Sequence, residues 1–131
     1  MPTDGVDPDL VELATKLFEL ARTGEAATLA AYIDAGVPVN LCNDKGDTLL
    51  MLAAYHGQQT AVTALLERGA DPDRANDRGQ TPAAGAVFKG EDDILKALLA
   101  AGADPDAGTP SARESATVFG RTELLELFDR R

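Results

Sequence analysis

Glycine recurs along this chain at a fixed period: Gly24, Gly57 and Gly90 stand thirty-three residues apart, and so do Gly36, Gly69 and Gly102. Two series in lockstep mark a repeated unit. A unit of that length cannot bury its own apolar face and becomes stable only by stacking on copies of itself, so the period dictates a quasi-linear stack. Function then belongs to the surface of the stack.

The apolar residues keep the same beat. After each glycine of the first series comes a block with paired apolar positions: Leu29, Tyr32 and Ile33; Ala61, Val62, Leu65 and Leu66; Ile94, Leu95, Leu98 and Leu99. Pairs at this spacing make one stripe on one helix face. Each block stops at Gly36, Gly69 or Gly102, where a residue without a Cβ can take the left-handed conformation that ends a helix. A shorter block precedes the first-series glycines: Leu17, Phe18, Leu20 and Ala21; Leu50 to Ala54; Ala83, Ala84, Ala86 and Val87. Many of these side chains are small, which suits a helix packed closely against both neighbours.

Thr48 and Thr81 open the shorter blocks, each with a hydroxyl able to accept from unpaired first-turn amides, and Pro82 takes the first helical position. The stretches from Gly36 to Gly46 and from Gly69 to Gly79 are rich in turn formers. The spacing predicts helix pairs at about 12–23 with 26–35, 48–56 with 59–68, and 81–89 with 92–101, and a last pair near 111–119 and 122–130. Leu65 and Leu98 fall where adjacent units meet.

These residues resemble the ankyrin-repeat family. The resemblance is carried by Gly46-Asp47-Thr48-Leu49-Leu50-Met51-Leu52-Ala53-Ala54 with Gly69-Ala70-Asp71, and by Gly79-Gln80-Thr81-Pro82 with Gly102-Ala103-Asp104, and it covers about residues 10–129. It implies an all-α solenoid of stacked helix-turn-helix repeats with projecting loops. The family's Thr-Pro-Leu-His stands here as Thr48-Leu49-Leu50-Met51 and Thr81-Pro82-Ala83-Ala84, so the histidine that ties neighbouring loops together is missing from both.

Four units are expected, at roughly 7–43, 44–76, 77–109 and 110–131, forming a single domain behind a loose tail of residues 1–6. The ends read as caps. Asp7-Pro8 opens the first helix, whose Glu12, Lys16 and Glu19 fall on the outer side. At the other end Gly120 follows Gly90 by only thirty residues, and Asp129 stands where earlier units carry an apolar residue. A length of 131 residues suits one domain with a continuous core. With no tryptophan and only 5% aromatic residues, that core must be aliphatic and alanine-rich. No apolar run approaches the about eighteen residues of a membrane span, and Met1-Pro2-Thr3-Asp4 lacks a signal peptide's basic start. A cytoplasmic monomer is the expectation, and the single Cys42 fits a reducing compartment.

The net charge of −10, from 22 acids against 12 Lys and Arg, disfavours nucleic acid and anionic membranes, which are bound by clustered bases. It leaves two uses for the acids: steering a basic partner or keeping the stack soluble. Local acidic groups invite a metal reading but have a simpler one. Glu91-Asp92-Asp93 sits where a helix dipole favours negative charge, and Asp71-Pro72-Asp73 and Asp104-Pro105-Asp106 occupy turns between units. Cys42 and His56 are the only residues of their types, yet the helix between them sets its ends about 12 Å apart, against about 3 Å for an activated nucleophile. No phosphate-cradling glycine loop, nucleophile elbow or metal-ligand cluster is present in the sequence. The expectation is a protein with no catalytic residues, no cofactor and no metal.

The resemblance implies a partner protein docked on the concave face, at loop tips and the exposed ends of first helices. Those positions fall here at Asp44, Lys45 and Asp47, at Asp77, Arg78 and Gln80, at Tyr55 and His56, at Phe88 and Lys89, and at Arg22 in the first unit. Tyr and Arg often anchor interfaces. Tyr55 and Phe88 fall at the same place on successive helices, at an expected separation of about 10 Å. Two function classes remain open on this reading: an interaction module, in one form a small regulator or inhibitor of its partner, and an enzyme or small-molecule binder using the groove near Tyr55, His56, Phe88 and Lys89. Gly85, inside a short helix, points to close approach by a neighbouring backbone or a bound group, with close repeat packing the leading cause.

Overall fold

In a computed structural model that describes residues 8–130, the chain forms eight α-helices among the described residues. They are α1 (Pro8–Thr23), α2 (Ala26–Asp34), α3 (Leu49–Tyr55), α4 (Gln59–Glu67), α5 (Pro82–Lys89), α6 (Asp92–Ala100), α7 (Ala112–Val118) and α8 (Glu123–Asp129). The odd-numbered helices stack in chain order, α1 on α3 on α5 on α7. A second row of α2, α4 and α6 packs behind them, and α8 closes on α7. No β-strand forms among the described residues; single antiparallel bridges join Cys42 to Thr48 and Gly108 to Ser111 at loop bases. None of the described helices is long and apolar enough to cross a membrane.

The pairs fall where the glycine period places them, within a residue at nearly every end. The exception is α1, where the two sequence readings differ: it starts at Pro8, where Asp7-Pro8 places its opening, rather than near residue 12. Its proline, acceptable in a first turn, explains the earlier start. The expected cap at Asp7 and the tail of residues 1–6 lie outside the described residues. Thr48 accepts from the Met51 amide at 3.0 Å and Thr81 from the Ala84 amide at 3.2 Å. Ser111 and Glu114 add a reciprocal capping box at the start of α7. The outer helices end at Gly36, Gly69 and Gly102, whose φ values of 119°, 88° and 97° are open to glycine at little cost.

The core follows the two stripes. Leu29, Val62, Leu65, Leu95 and Leu98 are fully buried between rows, and Ala53, Ala54, Ala83, Ala86, Ala112 and Ala116 let the inner helices approach closely. Glu12, Lys16 and Glu19 are exposed on the outer side of α1, but so are Leu10 and Val11, at 62% and 50%. The last described unit carries a paired substitution. Arg113 stands where the period gives Leu50 and Ala83, and Asp129 where it gives Leu66 and Leu99. The two meet at 3.0 Å, and Arg113 also reaches Asp106 at 2.7 Å. Two positions that would otherwise face a further unit thus satisfy each other at the surface.

Ion pairs also link units on the outer row. Arg68 holds Asp34 with two hydrogen bonds, at 3.0 and 3.2 Å. Arg121 holds Asp92 at 3.0 and 2.8 Å and Glu123 at 2.7 Å. Such exposed pairs contribute little each, so the buried stripe dominates stability.

Two outcomes are expected. Leu65→Ala removes a fully buried side chain between units and leaves a cavity, so chemical denaturation will show a loss of about 2–5 kcal/mol; an unchanged midpoint would mean that the stripe does not face the core. The Glu123 carboxyl is held below its ordinary value, first by the Arg121 hydrogen bond and then by a backbone hydrogen bond. A depressed carboxyl stabilises the fold above its unfolded pKa, about 4.3, and that contribution is lost as pH falls through the lower folded value. An NMR titration will place the Glu123 midpoint below that of a free glutamate, and Arg121→Gln will raise it.

Candidate functional site

Two asparagines, one period apart, build the loop tips. The Asn43 Oδ1 accepts from the amides of Lys45 and Asp47 at 2.9 and 3.0 Å, and the Asn76 Oδ1 accepts from those of Arg78 and Gln80, both at 3.0 Å. Each side chain thus replaces a missing turn partner. Asn76 does more, because its Nδ2 donates to Asp47 Oδ1 and to Gln80 Oε1, both at 2.8 Å. Backbone bonds complete the ties: the Asp77 amide donates to the Lys45 carbonyl at 3.0 Å and the Thr109 amide to the Gly79 carbonyl at 2.9 Å. Gly46 makes the first approach possible, since a Cβ there would lie 2.9 Å from the Asp77 nitrogen. The loops are therefore joined without the histidine absent at Met51 and Ala84.

Beside the tips, the ends of the inner helices carry a row of aromatic rings. Tyr55 and Phe88 lie face to face, with centroids 6.4 Å apart and planes 8° from parallel. This is closer than the about 10 Å of helix spacing, because the two side chains lean together across the gap. Phe119 continues the row edge-on to Phe88, at 5.5 Å. The Lys89 Nζ sits 4.9 Å from the Tyr55 centroid and His56 meets the same ring edge-on at 5.6 Å. Phe88 and Phe119 are 57% and 51% exposed, and Val118 beside them 77%. Phe88, Phe119 and Val118 thus form an exposed apolar patch beside Tyr55.

Tips and rings enclose two adjoining clefts. The polar one, about 370 Å³, brings together Asp44, Lys45, Asp47, Tyr55, Asp77, Arg78 and Gln80, with Asn76 and Met51 also in its wall. The apolar one, about 350 Å³, lies between Tyr55, Phe88 and Phe119 over Ala84 and Gly85. Met51, Tyr55 and Gln80 line both, so the clefts form one groove. His56 and Lys89 border it through their contacts with Tyr55. Arg22 lies apart: it lines neither cleft, pairs with Glu19 at 3.4 Å, and its carbonyl accepts from Gln58 Nε2. No ion pair among the described residues engages Asp44, Lys45, Asp47, Asp77 or Arg78.

Sequence reasoning missed Phe119, Val118 and Asn76. Phe119 and Val118 precede Gly120 as Lys89 and Phe88 precede Gly90, so the period itself held that signal. Gly85 is approached by the side chains of Met51 and Tyr55, with no neighbouring backbone near it.

Several acidic groups outside the groove have structural partners. Asp71 Oδ1 accepts from the Asp73 amide, Asp73 Oδ1 from the Asp104 amide and Asp104 Oδ1 from the Asp106 amide, at 2.8–2.9 Å. Asp92 is occupied by Arg121. No group of three metal-ligating side chains assembles among the described residues. Cys42 and His56 lie beyond opposite ends of α3, with Arg74 rather than histidine near the thiol.

The profile of ankyrin repeats in three copies matches residues 17–109, most of the chain. The chain belongs to the ankyrin-repeat family. It is also similar to an ankyrin repeat protein of Pseudomonas aeruginosa, 46% identical over 56 residues, which is 43% of this chain and 33% of that relative. The match thus spans about a third of the relative's length. Ankyrin repeats generally mediate protein–protein interaction, and the family is generally non-enzymatic.

If Asn76 ties the ankyrin loops, Asn76→Ala will leave several buried or half-buried polar groups without partners. Urea unfolding is expected to show a loss of about 1–3 kcal/mol. Asn76→Asp, which keeps the acceptor but brings a charge beside Asp47, will restore only part of it. A neutral result for both would show that the loops hold without the tie.

Proposed function

We propose that this ankyrin protein is a non-catalytic interaction module that binds a partner protein in the groove between its loop tips and inner helices, the family's concave face, and regulates that partner by occupying it. The observation that supports the reading is the row of half-buried Tyr55 and exposed Phe88 and Phe119, beside tip charges that form no internal ion pairs. Rings supply large contact area at low entropic cost, and unpaired rim charges set register and association rate. In this reading Asp44, Lys45, Asp47, Asp77, Arg78 and Gln80 form the rim, His56 and Lys89 border the anchors, and Arg22 is an outlying contact. Four units at 7–43, 44–76, 77–109 and 110–131 carry the face, and the half-buried Cys42 suits a reducing, cytoplasmic setting.

A catalytic or small-molecule use of the groove has less support. Such a site is enclosed and aims buried polar groups inward. Here Asp44, Lys45, Asp77 and Arg78 are exposed at the rim, and Lys89 rests on the face of Tyr55.

The test begins with a partner captured from the source cell and identified by mass spectrometry, followed by calorimetric titration. Tyr55→Ala and Phe88→Ala are each expected to weaken binding by at least about 2 kcal/mol, and Lys45→Ala by about 1 kcal/mol or less. Because the rings also contact each other, melting of the double variant must be followed in parallel. A folded double variant that binds as tightly as the wild type would end this reading and turn attention to the convex side and the caps.

A further inference from the structure

Gly85 is anomalous for a helix interior. It lies within α5 in a backbone conformation open to any residue, where glycine is a poor helix former. Packing does not demand it either: an added Cβ would meet Met51 Cε at 3.4 Å and Tyr55 Cδ1 at 3.6 Å, ordinary contacts with side-chain atoms. The period sharpens the anomaly. One unit earlier the same position is Leu52, and one unit later it is Ser115. Shortening leucine to glycine here leaves space, and that space is the apolar cleft of about 350 Å³, floored by Ala84, Gly85 and Ser115 and walled by Tyr55, Phe88 and Phe119.

No charged residue lines that cleft. The polar cleft that shares Tyr55 with it carries three carboxylates, Asp44, Asp47 and Asp77, against two cations, Lys45 and Arg78. A segment covering both clefts removes water from these charges, which must then be compensated. Lys89, at the border of the groove, rests on the Tyr55 ring outside that cleft, so one added positive charge balances the cleft, and a chain of net charge −10 favours the approach of a basic partner.

We propose that the cleft over Gly85 is an anchor pocket for one large apolar side chain of a partner protein, presented on a segment that places a lysine or arginine in the adjoining polar cleft. The proposal rests on the concave-face reading and adds to it the pocket, the chemistry of the occupant, and a reason for glycine at position 85.

The test uses random short peptides displayed on phage and selected on the full 131-residue chain, with selected sequences resynthesised and titrated. The expected peptides carry one large apolar residue beside an excess of Lys and Arg. Gly85→Leu, which restores the side chain of the preceding unit, is expected to weaken them at least about tenfold with the fold retained. Gly85→Ala is expected to weaken them at least about threefold while raising the melting temperature by about 3 °C, since alanine is the better helix former. Asp44→Asn with Asp77→Asn is expected to lower affinity for the basic peptides and flatten its salt dependence. Peptides that bind folded Gly85→Leu as tightly as the wild type overturn the pocket. If Tyr55→Ala with Phe88→Ala still abolishes that binding, the concave-face reading stands without the pocket, and if it does not, both fall. Selected peptides lacking an apolar anchor or a basic excess, or no enrichment at all, equally overturn the proposal.

Discussion

The burial of one unit's apolar stripe against the next is the interaction on which this molecule depends. Leu65 is fully buried on α4, a helix that packs on α3 of its own unit and lies between α2 and α6 of the neighbouring units. The same logic makes alanine the residue of the inner row. Ala53 and Ala86 sit one period apart, both inaccessible, and their small side chains bring α3 and α5 together. Close inner helices in turn bring the loops within hydrogen-bonding distance, so that the Asp77 amide finds the Lys45 carbonyl. Stacking energy is thereby converted into a groove with fixed walls.

Most of this architecture is legible in the sequence because stacking leaves a periodic trace. Thr48, Thr81 and the glycines of both series each serve a local backbone need, and local needs repeat with the unit. The groove is legible only in part, for a physical reason. Tyr55 and Phe88 could be placed by spacing, but their contact at 6.4 Å depends on how two side chains lean, which helix spacing does not set. The place of Phe119 could be read from Gly120, but its edge-on contact with Phe88 at 5.5 Å depends on side-chain conformation, which spacing does not set either. The tie through Asn76 was obscured by a substitution of chemistry: a loop asparagine does the work that the family assigns to a helix histidine, so the usual position shows only Met51 and Ala84.

Stability and recognition also pull against each other along the inner row. Thr81, Pro82 and the alanines of α5 all favour a well-formed helix, and Gly85 alone opposes it. A residue that breaks the local rule without strain or backbone crowding to justify it points to the surface it shapes. The departure is confined to one unit, so it creates one apolar cleft beside the row of rings rather than loosening the whole stack.

The distribution of charge carries the last step. Read as a total, −10 suggests an acidic surface offered to a basic partner. Many individual acids also have internal work: Asp73 accepts a backbone amide from the next unit, Asp71 and Asp104 accept amides within their own turns, and Asp34, Asp92, Asp106 and Asp129 hold arginines. The four on arginine are compensated where they stand. The charges at the loop tips are different, since Asp44 and Asp77 repeat one period apart, as do Lys45 and Arg78, and none of them is drawn into an ion pair. A ligand sliding along the groove by less than one unit would set like charge against like, which costs far more than a lost rim contact. In the proposed complex the tips would therefore fix register, and the rings beside them would supply the adhesion.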